Sequence, residues 1–189
     1  MSHASELTVD QQKRLLVIAR STMETYIQTG KVLNFDEKDL RLQDEEGAFV
    51  TIHKNGQLRG CIGNIIGQGP LLKTVRDMAI ASATQDPRFE PVTPAELKDL
   101  ELEISVLSKP RPIKSVDEIK MGEHGVIVKK NGIRLGIFLP QVATETGWSK
   151  EKFLSELCSQ KAGLPADAWK DPATTLEIFT AQVFSEKNK

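Results

Sequence analysis

Two Asn-Gly pairs constrain this chain more than any other feature. Asn55-Gly56 and Asn131-Gly132 each separate two alternating apolar and polar runs. A two-residue type I′ turn needs positive φ at both central residues, which Asn and Gly tolerate best, so each pair predicts a β-hairpin. The first hairpin covers residues 47–54 and 57–63, the second 125–130 and 133–139. The turn asparagines lie 76 residues apart, and the same offset relates Gly60 to Gly136 and Leu100-Glu101 to Leu176-Glu177. One offset carried through three separate features reads as an internal repeat of hairpin, helices and closing strand, over about 47–107 and 124–184. A single copy would leave a sheet face bare, so the copies are expected to pack as one domain over residues 1–189. The expected class is α+β, with the strands of both repeats in one curved or barrel-like mixed sheet and the helices outside.

The remaining elements follow from periodicity and end signals. Thr8 and Gln11 form a capping box before a stripe of Leu15, Leu16, Ala19, Met23, Tyr26 and Ile27, which Gly30 stops. Residues 31–46 are polar and acidic and read as a connection. Pro70 suits the first turn of a helix with Leu71, Leu72, Val75, Met78, Ala79 and Ala83 on its stripe. Prolines 87, 91 and 94 keep the next stretch from being helical throughout, and Thr93 with Glu96 caps a short helix after it. Leu102, Ile104 and Val106 then alternate as a half-buried strand. In the second half, Pro140 opens a helix that Gly147 ends, and Ser149 caps another carrying Phe153, Leu154, Leu157 and Cys158 up to Gly163.

Composition narrows the function. Lys and Arg total 25 against 26 Asp and Glu, a formal net charge of −1, which leaves no cationic surplus for gripping nucleic-acid phosphates. Aromatic residues at 5% leave little for base stacking. Two cysteines, and histidines at 3, 53 and 124, supply neither a disulfide framework nor a zinc set, so we expect no metal and no cofactor. No Gly-Lys-Ser/Thr follows the glycines at 60–69, and no GxGxxG fingerprint is present. No apolar run has membrane-spanning length, and residues 1–10 lack the apolar core of a secretory signal, so a cytoplasmic protein is expected.

The repeat supplies an internal control, because residues that serve only architecture should recur in both copies. With regular hairpin pairing, Val126 faces Ile137 and Val128 faces Leu135, an apolar face. The matching pairs in the first copy are Val50 with Cys61 and Ile52 with Arg59. A guanidinium on a face built for burial is costly unless it is paired or lines a wet cleft. Two residues from a thiol, it would also favour the thiolate. Arg59 and Cys61 are therefore site candidates. The plainer readings are a core cysteine, and an Arg59 paired with Glu101 or Glu103 on the neighbouring strand. His124 shares the face of Val126 and could reach the same cleft as a proton carrier. The loop Asp86-Pro87-Arg88-Phe89 has no counterpart in the second copy and offers either binding groups or a local Asp–Arg pair. Cys158 sits on an apolar stripe and reads as core.

Several segments together resemble the AMMECR family, named for a human chromosomal deletion region. They are Leu58-Arg-Gly-Cys-Ile-Gly63, Asp86-Pro-Arg-Phe89, Leu102-Glu-Ile-Ser-Val-Leu107, His124-Gly125, Leu139-Pro-Gln-Val142 and Lys161-Ala-Gly-Leu164. The likeness spans about residues 10 to 185. It implies an α+β protein with a duplicated β-rich unit, working alongside Memo-type proteins or radical-SAM enzymes. By motif match the family's presumed site falls on Arg59 and Cys61, and more weakly on Asp86, Arg88 and His124. Three functions compete. One is an enzyme, with Cys61 as nucleophile or redox thiol, His124 moving protons, and Arg59, Asp86 and Arg88 binding a small anionic substrate. The second is a non-catalytic module that binds a ligand or protein through the Arg59/Cys61 cleft. In the third, the motif is a folding device.

Overall fold

A computed structural model describes residues 6–187. His3 and residues 1–5 of the stretch expected to carry no secretory signal lie outside these residues. The chain divides into two compact units, Met1–Leu107 with Gln182–Lys189, and Ser108–Ala181.

In the first unit, helix α1 (Val9–Thr29) begins at the Thr8–Gln11 capping box and ends on Gly30 at φ 72°. Strands β1 (Gly47–Lys54) and β2 (Gln57–Asn64) meet at Asn55 and Gly56, whose φ values of 53° and 78° are those of a type I′ turn. Helix α2 (Leu71–Thr84) follows Pro70, and after an irregular loop a short 3₁₀ turn (Pro94–Asp99) is capped by Thr93 and Glu96. Strand β3 (Leu100–Leu107) pairs antiparallel with β1, so β1 lies between β2 and β3. Strand β7 (Thr174–Ser185) ends in this unit, where the Glu186 amide donates to the Leu102 carbonyl. The core gathers Leu15, Ile18, Ala19 and Met23 of α1, Leu72, Val75 and Ala79 of α2, and Val50, Ile52, Leu102 and Ile104 of the sheet. Alternation in the strands leaves Thr51, Cys61, Glu101 and Glu103 on the face away from the helices.

In the second unit, β5 (His124–Lys130) lies between β6 (Ile133–Phe138) and β7, with the two-residue β4 (Arg111–Pro112) also on β7. Asn131 and Gly132 turn this hairpin at φ 51° and 77°. Helix α3 (Pro140–Thr146) stops at Gly147, and α4 (Lys150–Glu156) runs on through a π-helical turn (Leu157–Lys161). Phe153, Leu154, Leu157 and Cys158 pack there with Val126, Val128 and Phe138, so Cys158 is a core residue. The α+β class expected from the sequence is the class found, with antiparallel strand pairing in each unit. Among the described residues no helix is long and apolar enough to cross a membrane.

The expected side-chain facing is overturned in both hairpins. Val50 pairs with Ile62 and not Cys61, and Ile52 pairs with Gly60 and not Arg59. Val126 likewise pairs with Phe138, and Val128 with Gly136. The cause is one β-bulge in each hairpin, with Arg59 as the extra residue in β2 and Leu135 in β6. A helix closely approaches the glycine beside each bulge. A Cβ on Gly60 would lie 2.2 Å from the Ser82 carbonyl oxygen, and one on Gly136 would lie 2.9 Å from Lys161 Cβ. Close helix approach requires the glycine, the bulge sits next to it, and the register beyond the bulge moves by one residue.

Candidate functional site

The shifted register gives Cys61 new neighbours. It pairs with Thr51, whose Oγ1 is 3.2 Å from its Sγ, and the thiol is only partly exposed. The Cys61 amide points off the outer edge of β2 and donates to Asp86 Oδ2 at 2.8 Å. One residue on, the Ile62 amide donates to Ser82 Oγ at 2.9 Å, and that hydroxyl donates to the Val50 carbonyl at 2.7 Å. Side chains of α2 and of the loop after it thus occupy backbone groups that an edge strand would otherwise present.

Asp86 is the centre of the loop. It is buried, and its carboxylate accepts from Arg88 Nε at 2.9 Å, Arg88 Nη2 at 2.7 Å, the Arg88 amide at 3.1 Å and the Cys61 amide. The Arg88 fork is the main reason its pKa lies well below the usual carboxylate range, and the two amides add to the shift against the cost of burial. The Arg88 side chain is still 54% exposed. Its guanidinium carbon sits 5.5 Å from the centroid of the Phe89 ring, and that of Arg59 sits 5.9 Å from it.

Arg59 leaves the bulge toward the short 3₁₀ turn. Its Nε donates to Glu96 Oε1 at 3.0 Å, its Nη2 to Glu96 Oε2 at 3.2 Å, and its Nη1 to the Glu90 carbonyl at 2.9 Å. Lys54 Nζ adds a third cationic contact to Glu96 at 3.0 Å. Arg59 above all, then the Thr93 amide, holds the Glu96 carboxyl well below its ordinary range. The alternative pairing of Arg59 with Glu101 or Glu103 is not formed. Glu101 is held by Lys187 instead.

These contacts reverse the expected effect on the thiol. Burial pushes the Cys61 thiol up, and Asp86 and Glu103 add to that, while the Thr51 hydroxyl and Arg88 offset only part of it. The cation that acts on Cys61 is Arg88, because Arg59 is spent on Glu96. The structure therefore brings Arg59, Cys61, Asp86 and Arg88 together in one unit, but as two closed carboxylate–guanidinium pairs beside a neutral thiol. His124 belongs to the second unit, at the head of β5, where its Nδ1 accepts the Lys120 amide at 3.2 Å. Among the described residues no group of three or more His, Cys, Asp or Glu side chains is placed to hold a metal ion.

Two participants, Thr51 and Ser82, went unread in the sequence, and two more, Glu96 and Glu103, were read in other roles. Glu96 was visible only as half of a capping box, although its second task is to hold Arg59. Thr51 and Glu103 become neighbours of Cys61 only once the bulge is counted, and a glycine inside a strand was the available signal for it.

Comparison with known proteins yields one family and a consistent set of relatives. The AMMECR1 family model matches residues 16–184. A protein of Methanothermobacter thermautotrophicus is 42% identical over 187 residues, covering 95% of this chain and 96% of its own length. One of Methanopyrus kandleri is 39% identical over 191 residues, covering 96% and 91%. The crystal structure of an uncharacterized protein from Pyrococcus horikoshii superposes with a TM-score of 0.84 at 39% identity, over 92% of this chain and 90% of that one.

Proposed function

The chain belongs to the AMMECR1 family, and from that premise and the site's geometry we propose that it acts as a recognition module, with Cys61 serving as a neutral thiol. The recognition surface in this reading is the β2 motif, residues 58–63, with the loop 86–90 laid against it. One observation carries it: burial raises the Cys61 pKa while each nearby guanidinium is forked onto its own carboxylate. A thiolate nucleophile needs a cation or base committed to it. An anionic substrate needs an arginine whose fork is open. Neither condition is favoured by these contacts. What remains exposed is the outer part of Arg88, with two guanidinium groups within 5.9 Å of the Phe89 ring centroid. Such a surface suits contact with another molecule more than turnover.

The same reading treats the two hairpins as copies of one ancestral unit, of which only the first acquired the surface. It keeps a Memo-type or radical-SAM protein as the candidate partner, and a reducing, cytoplasmic setting in which both thiols stay free. The test is the rate of alkylation by iodoacetamide at neutral pH, followed by intact mass. Cys61 is expected to react more slowly than a thiol in the unfolded chain, with an apparent pKa above the ordinary value of about 8.5. Rapid alkylation, with an apparent pKa well below that value, would overturn the module and put a Cys61-dependent enzyme in its place.

A further inference from the structure

We propose that the row Cys61–Thr51–Glu103, across the helix-free face of the first unit's sheet, is a binding site for a primary ammonium group. The inference rests on the recognition-module reading and names a ligand chemistry for it. The register places Thr51 directly between Cys61 on β2 and Glu103 on β3, so a thiol, a hydroxyl and a carboxylate stand side by side on three adjacent strands. All three residues are partly exposed.

Among the described residues Glu103 has no hydrogen bond or ion pair, and its one electrostatic neighbour is the Cys61 thiol. The other carboxylates around it are occupied: Asp86 by Arg88, Glu96 by Arg59 and Lys54, and Glu101 by Lys187. With those pairs cancelled, the row carries the single negative charge of Glu103. A half-buried carboxylate without a partner is a cost to the folded protein, and a monovalent cation would relieve it.

The face already accepts ammonium groups elsewhere. Two residues before Glu103 on the same strand and face, Glu101 holds the ammonium of Lys187. In the second unit, Glu177 pairs with Ile127 as Glu103 pairs with Thr51, and there it holds Lys129 Nζ at 2.5 Å. Among the described residues, Glu103 is a position on this face where a carboxylate is present and no lysine meets it. An ammonium has three donors on a compact head, which matches acceptors spread over Glu103, Thr51 and Cys61 better than a planar guanidinium fork does. In the second unit the row is Ile137, Ile127 and Glu177, which has neither thiol nor hydroxyl and whose carboxylate Lys129 already holds.

The test is a titration of the ¹⁵N-labelled full chain, monitored by amide chemical shifts, with N-acetyl-lysine N-methylamide, with n-butylamine, and with the norleucine analogue that lacks the ammonium. The lysine derivative should shift the Thr51, Cys61 and Glu103 amides saturably, and the norleucine compound should not. Equal binding of butylamine would assign the site to free amines, and binding of the lysine derivative alone would assign it to a peptide lysine. Glu103→Gln should weaken binding about tenfold or more, as loss of a charge-assisted contact requires. Thr51→Val, expected to weaken it a few-fold, serves as the second arm if the first variant does not fold. No saturable shift, or a Glu103→Gln protein that titrates like the parent, overturns the site. Slow alkylation of Cys61 with no ammonium-dependent shift would sink this inference and leave the module standing. Rapid alkylation would sink the module whatever the titration shows.

Discussion

The two hairpins share a turn, a bulge and a glycine, and differ in what surrounds the bulge. In the second, the extra residue is Leu135, and the row beyond it is Ile137, Ile127 and Glu177, the last held by Lys129. In the first, the extra residue is Arg59, and the matching face carries Thr51, Cys61 and Glu103. The backbone solution is the same in both, so hairpin architecture does not demand the hydroxyl and the thiol. The first hairpin also needs an apparatus that the second lacks: Asp86 and Arg88 on the edge amide of Cys61, and Glu96 on Arg59. Polar groups at a half-buried site had to be matched one by one, and the loop 86–90 and the 3₁₀ turn after it supply the matches.

The largest effect should come from filling the shared glycine. Gly60→Ala would put a Cβ 2.2 Å from the Ser82 carbonyl oxygen, a backbone atom that cannot swing aside. Gly136→Ala would meet the Lys161 Cβ at 2.9 Å and the Ala162 nitrogen at 3.1 Å, a milder clash. Overpacking typically costs about 1–3 kcal/mol and occasionally more. We expect Gly60→Ala at or above the top of that range and Gly136→Ala near the bottom, read from urea denaturation of the full chain. Equal losses would mean that helix approach is no tighter in the first hairpin than in the second.

Next comes the clamp that the second hairpin lacks. Asp86→Ala removes a buried carboxylate that accepts from Cys61 and Arg88, and leaves an edge amide without its partner. The expected loss is about 2–3 kcal/mol, which falls short of a fully buried pair because Arg88 is largely solvated. The pH dependence has a definite sign. Asp86 has a depressed folded-state pKa, so its contribution is complete above its unfolded value of about 3.9 and is lost as pH falls through the lower folded value. Acid titration should therefore destabilise the parent more steeply than Asp86→Ala in that window. A variant that loses stability equally at every pH would remove the linkage from the argument.

How much could be read beforehand divides along the same line. Elements whose signals are local were legible. The capping boxes at Thr8 and Thr93, the type I′ turns, the stops at Gly30 and Gly147, and the stripes of α1 and α2 all lie where the sequence places them. The choice of Arg59 and Cys61 as unusual residues also needed only the comparison of the two hairpins. Their neighbours were not legible, because the bulges turn the facing over by one residue, and because Glu96 and Asp86 reach β2 from 37 and 25 residues away. The bulge sits beside Gly60, where the helix approaches closely, and that approach is a tertiary fact which periodicity does not carry.

The smallest expected effect discriminates best between a surface that serves the fold and one that serves recognition. Arg59→Leu installs the residue that the second hairpin carries at its bulge. The change removes both arms of the fork to Glu96, but Lys54 Nζ, the Thr93 amide and the Thr93 hydroxyl continue to hold that carboxylate. The Arg59 side chain is 16% exposed, so solvent screens the pair only in part, and a leucine at this place would bury apolar surface in its stead. Lost pairing and gained burial nearly cancel, and the net loss should be about 1 kcal/mol or less by thermal melting. A loss above about 3 kcal/mol would mark Arg59 as a strut of the fold and take it out of the recognition surface. A near-neutral result would mean that the first hairpin keeps a guanidinium where its own stability does not require one, and this separates the two hairpins by use and not by architecture.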